Sequence, residues 1–437
     1  MGKSVRNTEF AVKIALFVSL CVLIHFIVTS NIIQYEGDKT AYFKIQDFHY
    51  YIVMIKSFWF HEIVSIYDPE SQLMAIDSYF GIEMNHAMPL GISPTALLIM
   101  LPFSVIARFS FPLANTLWVS AFLTMYAIAV LKAYSYIQSY ERNALPLFIV
   151  VFSVFLFSFR TVTVIFLGQT SLLASALLLL LLLEMALASK EGRSLRRWII
   201  YPVIFVLSMK MHYLVLGMGI LLIGGYIYEL LASSVIVGFS IGFLILYTGL
   251  ALITGFMEQI SLFSAHELPA YYDFTDVFHT FFTFRSAFAP IIGGSLSLKI
   301  SLIVLLFGCM SIFCISVFQS GGMGKNKKNF QKVTTLQMII AFFALLLLFL
   351  PYIGGYEDVL LCIPFAAVCL SPVHMQRKYG KIFVIIPFLF IVLNQSIMLS
   401  SDHLWLYWGM KAFILIYLFF FQKGALSPRA GIVGQLS

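Results

Sequence analysis

Long apolar runs separated by short polar turns make up most of this chain. Thirteen runs approach the length that an α-helix needs to cross a bilayer, about 20 mostly apolar residues. Their approximate limits are 11–33, 91–109, 113–131, 144–160, 170–189, 198–210, 212–231, 233–255, 296–318, 333–351, 356–372, 382–399 and 404–421. The pattern predicts an all-α polytopic membrane protein, with residues 1–437 forming a single integral membrane domain.

The composition indicates the same class of protein. Hydrophobic residues make up 61% of the 437 residues and charged residues 11%, whereas soluble proteins have about 25% charged residues. Only lipid can solvate so much apolar surface, so soluble enzymes and nucleic-acid-binding proteins are excluded. The net charge of +7 therefore reports membrane topology, and we expect membrane lipid but no nucleic acid among the partners.

Four basic clusters predict the orientation, because Lys and Arg near helix ends are retained in the cytoplasm. The clusters are Lys3, Arg6 and Lys13; Lys190, Arg193, Arg196 and Arg197; Lys325, Lys327, Lys328 and Lys332; and Arg377, Lys378 and Lys381. Fifteen of the 20 acidic residues fall on the opposite side. We expect residues 34–90 and 256–295 to form two extracytoplasmic loops, and any chemistry to lie on the extracytoplasmic face.

Basic residues near both chain ends demand an even number of crossings, so one of the thirteen runs does not span. Residues 91–109 carry Pro94 and Pro102, which predicts a re-entrant or broken element. About twelve transmembrane helices then remain. In the first loop, apolar residues at helical spacing between Ile52 and Ile63 predict a short extracytoplasmic helix on the membrane surface.

The first loop also contains the leading catalytic candidate. Asp47 begins the segment Asp47-Phe48-His49-Tyr50-Tyr51, just before the predicted surface helix. A carboxylate at this position either caps the helix N-terminus or acts chemically. Tyr67-Asp68 and His86 follow in the same loop.

Lys210 and His212 lie between two apolar runs, at the predicted outer end of a helical hairpin. A charge this close to the bilayer core usually has a partner or a function. Lys210 either extends to the interface or binds a lipid phosphate as a point charge. At another outer turn, Arg160 is a second candidate phosphate ligand, and Gln169 can bind a sugar hydroxyl.

Further candidates occupy the C-terminal half. Glu357 and Asp358 are adjacent at an outer turn, so at most one of them points into a cleft. His279 and Arg285 lie among aromatic residues of the second loop, which suit a sugar or an isoprenoid but also an interfacial aromatic belt. No spacing predicts a metal site or a nucleotide-binding loop, so we expect neither a metal nor a cofactor.

Four features in order resemble a known family: the Asp47 segment, Tyr67-Asp68-Pro69, Gly168-Gln169 before a Leu-rich helix, and Lys210. They resemble the polyprenyl-phosphate-mannose-dependent alpha-1,2-mannosyltransferases of the GT-C superfamily. The resemblance covers residues 1 to about 230, and the remainder in hydropathy alone. The chain departs from the family at His86-Ala87-Met88-Pro89-Leu90, where an aromatic residue and Pro-Pro are usual, and at Lys210-Met211-His212-Tyr213, where Lys-x-x-Pro is usual.

The resemblance implies a GT-C-like fold and an inverting hexosyltransferase. We expect it in a bacterial inner (plasma) membrane, with the active site facing the periplasm or exterior. Asp47 would be the general base, and Lys210, His212 and Arg160 would bind the donor phosphate. The candidate substrate-binding residues are His49, Tyr50, Tyr51, Tyr67, Asp68, His86, Gln169, His279, Arg285, Glu357 and Asp358. The partners would be a polyprenyl-phosphate-linked sugar donor and a glycan or glycolipid acceptor. The alternatives are a transporter or flippase of a lipid-linked saccharide, a non-catalytic membrane scaffold, and a glycan polymerase of another fold.

Overall fold

The computed structural model describes eleven stretches of the chain: 47–81, 87, 90–140, 145, 148–149, 164–165, 168–264, 284–319, 333–350, 355–370 and 404–421. The elements within these ranges are helices. The first eight are α1 (Asp47–Trp59), α2 (Pro69–Phe80), α3 (Ala96–Ile99), α4 (Leu101–Phe109), α5 (Phe111–Tyr140), α6 (Ser171–Glu191), α7 (Arg197–Leu207) and α8 (Met211–Ile223).

The remaining elements follow in the second half of the chain. They are α9 (Ile227–Thr248), α10 (Ala251–Ser264), α11 (Phe284–Ile292), α12 (Gly294–Gln319), α13 (Val333–Phe349), the 3-10 helix η1 (Gly355–Leu361), α14 (Cys362–Leu370) and α15 (Leu404–Phe421). Both ends of the predicted second loop, 256–295, are thus helical, in α10 and α11.

Four helices in the described ranges are long and apolar enough to cross a membrane: α5, α6, α9 and the Gly294–Ser316 part of α12. Shorter apolar helices accompany them, including α7 and α8. The candidate spans at 11–33 and 382–399, and most of the one at 144–160, lie outside the described residues. The all-helical architecture supports a membrane protein, and the number of crossings stays a prediction.

Residues 91–109 form a broken element, as their prolines predict. α3 ends at Ile99 and α4 begins at Leu101, with Met100 between them. Pro102 lies in the first turn of α4, where a residue without an N–H costs little. The predicted span 212–231 is also divided, because α8 ends at Ile223 and α9 begins only at Ile227.

α1 is the short helix that the apolar spacing predicts, and other elements bury most of it. Its position relative to the membrane stays a prediction. Phe48 and the four residues 52–55 have 0% exposure, and α1 packs against α2 and α4. Four consecutive apolar residues point to all sides of a helix, so such a helix must be buried on all sides. The spacing of apolar residues predicted a helix, but it did not predict that α1 would be buried on all sides.

α6 forms the centre of the described structure. It is buried along most of its length and packs against α5, α7, α8, α14 and η1. α9 and α12 instead leave most of their surface exposed. The start of α6 is therefore enclosed by other elements, and a cluster of buried polar side chains lies there.

An ion pair lies near the other end of α6. Glu184, with a side chain only 3% exposed, accepts hydrogen bonds from the Arg193 guanidinium and, at 2.8 Å, from the backbone N–H of Arg196. The hydrogen bond to Glu184 raises the pKa of Arg193. Glu184 thereby fixes the turn between α6 and α7. Sequence analysis used Arg193 and Arg196 only as markers of the cytoplasmic side.

We expect Glu184→Gln to lower the free energy of unfolding by about 1–3 kcal/mol, because it replaces a charged acceptor in a buried position. Thermal unfolding of the purified protein in detergent measures the change. The matched control is Glu191→Gln, which removes the exposed second carboxylate bonded to Arg193 and should cost about 0–1 kcal/mol. Equal losses in the two variants would contradict a buried anchoring role for Glu184.

Candidate functional site

A buried polar cluster lies where α6, α8 and η1 meet. We call it the Lys210 cluster, and its members are Gln169, Thr170, Ser171, Lys210, His212, Tyr213 and Glu357. Lys210 Nζ donates to Gln169 Oε1 at 3.2 Å and lies 3.3 Å from Glu357 Oε1. The side chains of Lys210 and Glu357 are 4% and 2% exposed. The ammonium group predicted to bind phosphate thus already has a carboxylate partner.

Two further members converge on the same carboxylate oxygen. Tyr213 donates its hydroxyl to Glu357 Oε1 at 3.2 Å, and His212 Nε2 lies 3.5 Å from that oxygen. Ser171 Oγ is within hydrogen-bond distance of the Tyr213 hydroxyl, at 3.0 Å. The other oxygen of Glu357 and the amide nitrogen of Gln169 have no hydrogen-bond partner among the described residues. Such unpaired buried polar atoms are costly and typical of functional sites.

Short backbone contacts hold Lys210 in place. Lys210 is the extended residue before α8, and it follows the short link after α7. The N–H of Ser93 donates to the Met209 carbonyl at 2.7 Å, and the Thr95 hydroxyl donates to the Ser208 carbonyl at 2.8 Å. The predicted broken segment 91–109 therefore has a defined role, because it fixes the link that presents Lys210. Nothing in the sequence pattern had marked Ser93 or Thr95.

The Gly168-Gln169 pair joins the cluster to the start of α1. Gly168 has φ +65°, and a Cβ there would lie 2.6 Å from Phe48 Cβ. The Trp118 indole donates to the Gly168 carbonyl at 2.9 Å and stacks on the Phe48 ring, with 5.6 Å between centroids. Only glycine permits both the backbone conformation and this close approach. Asp47, the first residue of α1, is thereby brought to the neighbourhood of Gln169.

The tyrosines predicted to bind substrate have internal partners. Tyr50 donates to Gln72 Oε1 at 2.7 Å, and the Gln72 amide donates to the Ile66 carbonyl at 2.8 Å. Tyr67 donates to the Ile92 carbonyl at 3.0 Å. Burial raises the pKa of Tyr67 well above its usual value, so its hydroxyl is a neutral donor. These contacts hold the first loop together.

Gln259 of α10 is a residue that sequence analysis missed. Its amide donates to the Tyr67 carbonyl at 3.1 Å, and its carbonyl accepts from the Leu90 N–H at 2.9 Å. It is 2% exposed. A single glutamine at the edge of the predicted second loop carries no pattern, so only the fold reveals that it ties α10 to the middle and to the C-terminal end of the first loop.

Other predicted site residues have distinct positions. Asp68 is exposed and caps α2, because its carboxylate accepts from the Ser71 N–H at 2.8 Å. The His49 ring packs on Phe111, with 4.9 Å between centroids. Tyr51 is buried in the core. Arg285 is buried in α11, which packs on α12, α13 and α15.

Several predictions lie outside the described residues. They are the side chains of Asp47 and Asp358, and the residues His86, Arg160 and His279. Within the described ranges, no group of three or more His, Cys, Asp or Glu side chains could hold a metal ion.

An apolar groove begins close to the Lys210 cluster. It has a volume of about 680 Å³ and is bounded by α8, α9, α12 and α13. Its wall on α8 runs from Leu214 through Met218 to Leu222, and Phe313 and Phe342 face it from the other side. Leu214 is four residues beyond Lys210, which is about 6 Å along a helix.

Comparison of the chain with known protein families, with curated proteins and with solved structures finds no match.

Proposed function

We propose that this protein is a polyprenyl-phosphate-sugar-dependent glycosyltransferase. It moves a sugar, mannose by the family resemblance, from a polyprenyl-phosphate donor to a glycan or glycolipid acceptor at the extracytoplasmic face. One observation carries the proposal: the Lys210 cluster lies at the start of α8, and the apolar groove runs along the same helix. A lipid phosphate needs a cation beside an apolar channel, and this arrangement offers both.

The headgroup end is suited to a phosphate. α8 begins at Met211 and has no side-chain hydrogen bond capping its N-terminus, so the positive end of its dipole favours an anion. Lys210 adds a point charge at the same place. Glu357 competes with the phosphate for Lys210, so it holds the ammonium in position when the donor is absent and yields it when the donor binds.

The transfer step uses the residues as follows. The Asp47 carboxylate takes the proton of an acceptor hydroxyl, and the hydroxyl oxygen forms a bond to the anomeric carbon. The bond from that carbon to the phosphate oxygen breaks, and the lipid phosphate leaves with the electron pair. Lys210 and His212 stabilise the negative charge on the departing phosphate. Attack from the side opposite the phosphate inverts the anomeric centre, and the chemistry requires neither a nucleotide nor a metal.

The primary assay measures transfer of radiolabelled mannose from polyprenyl-phosphate-mannose by membranes that contain the protein. Label recovered in glycolipid or glycan, with inverted configuration at the new linkage, supports the proposal. Membranes without the protein provide the background. Label that crosses vesicle bilayers while still attached to its lipid phosphate would identify a flippase instead.

A matched pair of glycines on α9 tests the groove. Gly238 lines the groove, whereas Gly242 is not among its lining residues, and a Cβ at either position meets no atom within 4 Å. Gly238→Leu should place its side chain in the groove and raise the donor KM about tenfold, because it displaces chain contacts worth about 0.8 kcal/mol for each CH₂.

Gly242→Leu adds the same side chain to the same helix and should leave the donor KM unchanged. Kinetics with a long polyprenyl donor and a short-chain analogue separate the effects, because the short analogue should be less sensitive to Gly238→Leu. The same KM in both leucine variants would exclude the groove as the donor's binding place.

A further inference from the structure

A second, polar pocket lies between the end of α1 and the face of α2, apart from the Lys210 cluster. Its volume is about 340 Å³, and its polar lining comes from Lys56, Glu62, Ser78 and Tyr79. Lys56 Nζ lies 4.6 Å from the centre of the Tyr79 ring. Volumes of about 300 Å³ and above are typical of small-molecule sites.

The backbone around Glu62 is in an uncommon conformation. His61 has φ +59°, a left-handed conformation that is unfavourable for a residue with a side chain. The turn is closed by the Glu62 N–H, which donates to the Ser57 carbonyl at 2.7 Å. The Ser57 hydroxyl donates to Glu62 Oε2 at 2.8 Å. These contacts hold the carboxylate at the pocket wall.

The charges of the pocket define the ligand class. Lys56 Nζ and Glu62 Oε1 are 3.9 Å apart, beyond the usual hydrogen-bond distance of about 2.7–3.2 Å. A hydroxyl group fits such a pair, because it can accept from the ammonium while it donates to the carboxylate. Glu62 repels anions and Lys56 repels cations. The pocket therefore suits a neutral molecule rich in hydroxyl groups.

A chain of aromatic rings leads from this pocket towards the start of α1. The Tyr79 ring contacts Phe111 with 5.1 Å between centroids, and Phe111 contacts His49 at 4.9 Å. Lys56 follows Asp47 by nine residues, about 14 Å along α1. This distance is longer than one sugar ring, so a glycan with one unit in the pocket could present a different unit to Asp47.

We infer that the pocket of Lys56, Glu62, Ser78 and Tyr79 binds one sugar unit of a neutral oligosaccharide acceptor, remote from the unit that reacts. This inference rests on the proposed function, since it assigns the acceptor end of the same site. Binding energy from remote parts of a substrate orients its reacting centre, so acceptors of several units should react faster than a monosaccharide.

The test measures binding of neutral mannose oligosaccharides of one to four units to the purified full chain in lipid nanodiscs, without donor. Saturation-transfer NMR or calorimetry detects the binding. Wild type should bind the longer oligosaccharides more tightly than mannose. Glu62→Gln should weaken binding about tenfold, because it removes a charged hydrogen-bond acceptor. Ser78→Tyr fills the pocket from its exposed rim, keeps the charge pair intact, and should weaken binding at least as much.

Two exposed acids of α2 supply matched controls. Each of Glu70→Gln and Asp77→Asn removes one negative charge from α2, the helix that carries Ser78, but neither residue lines the pocket. Binding should therefore stay at the wild-type value. Equal binding in every variant, or no oligosaccharide binding by wild type, would overturn the inference.

Binding and transfer are measured on the same preparations, which separates this inference from the proposed function. Oligosaccharide binding that depends on Glu62, without any mannosyl transfer, would support the inferred sugar pocket and contradict the proposed transferase function. Transfer with an unchanged acceptor KM in Glu62→Gln and Ser78→Tyr would support the transferase function and contradict the inferred sugar pocket.

Discussion

Asp47→Asn should lower the rate of mannosyl transfer about 10²–10⁴-fold, the contribution of a positioned general base. Asparagine has almost the same shape and can still accept a hydrogen bond at the start of α1, but it cannot take a proton from the acceptor hydroxyl. The fold should therefore persist while turnover is lost. Donor binding should remain, because the groove and the Lys210 cluster are unchanged.

The measurement compares initial rates in membranes with equal amounts of wild type, Asp47→Asn and the control Asp77→Asn. Asp77 is exposed on α2, so its variant removes a carboxylate from the same loop without touching the site. We expect wild-type rates from the control. A rate for Asp47→Asn within a few fold of wild type would eliminate Asp47 as the base.

Lys210→Met should have the second large effect, on both stability and turnover. It leaves the Glu357 carboxylate buried without its cation, which costs about 3–5 kcal/mol. It also removes the charge that stabilises the leaving phosphate, and loss of one such interaction typically slows turnover about 10²–10³-fold. The single variant cannot separate these effects, because a poorly folded enzyme is also slow.

The double variant Lys210→Met with Glu357→Gln separates them. It makes the pair neutral, and the new amide can still accept from the Tyr213 hydroxyl, which is bonded to Glu357 in wild type. We expect the melting temperature in detergent to recover and the turnover to stay low. Recovery of both would reduce Lys210 to a structural role. Lys190→Met, an exposed lysine of α6, serves as the control.

The sequence predicted which residues belong to the candidate site better than it predicted which of them contact one another. Lys210 with His212, Gln169 and Glu357 were selected at three separate places, because polar groups are conspicuous between apolar runs, and the structure brings all four residues together. Their pairing was not predictable, since Lys210 and Glu357 are 147 residues apart and hydropathy carries no information on which helix ends meet.

Other features could not be inferred because they depend on packing. The sequence around Gly168 resembles that of any turn glycine. A contact that is distant in sequence, with Phe48, excludes a side chain at this position. Asp68 begins a helix as plainly as Asp47 does, and the structure shows it to be an exposed cap. The sequence motifs thus indicated which segments carry candidate functional polar residues, but not which of those residues are buried.

The contact between Lys210 and Glu357 has a consequence for how the protein is made. At a synthesis rate of about 5–20 residues per second, Lys210 precedes its partner by about 7–30 s. During that interval Lys210, in the hairpin of α7 and α8, lacks its carboxylate partner, because Glu357 has not yet been synthesised. Residues 1 to about 230, where the family resemblance lies, therefore contain Lys210 without its carboxylate partner. A chain truncated after α9 should leave Lys210 at the membrane interface, accessible to amine-reactive reagents that do not reach it in the full-length protein.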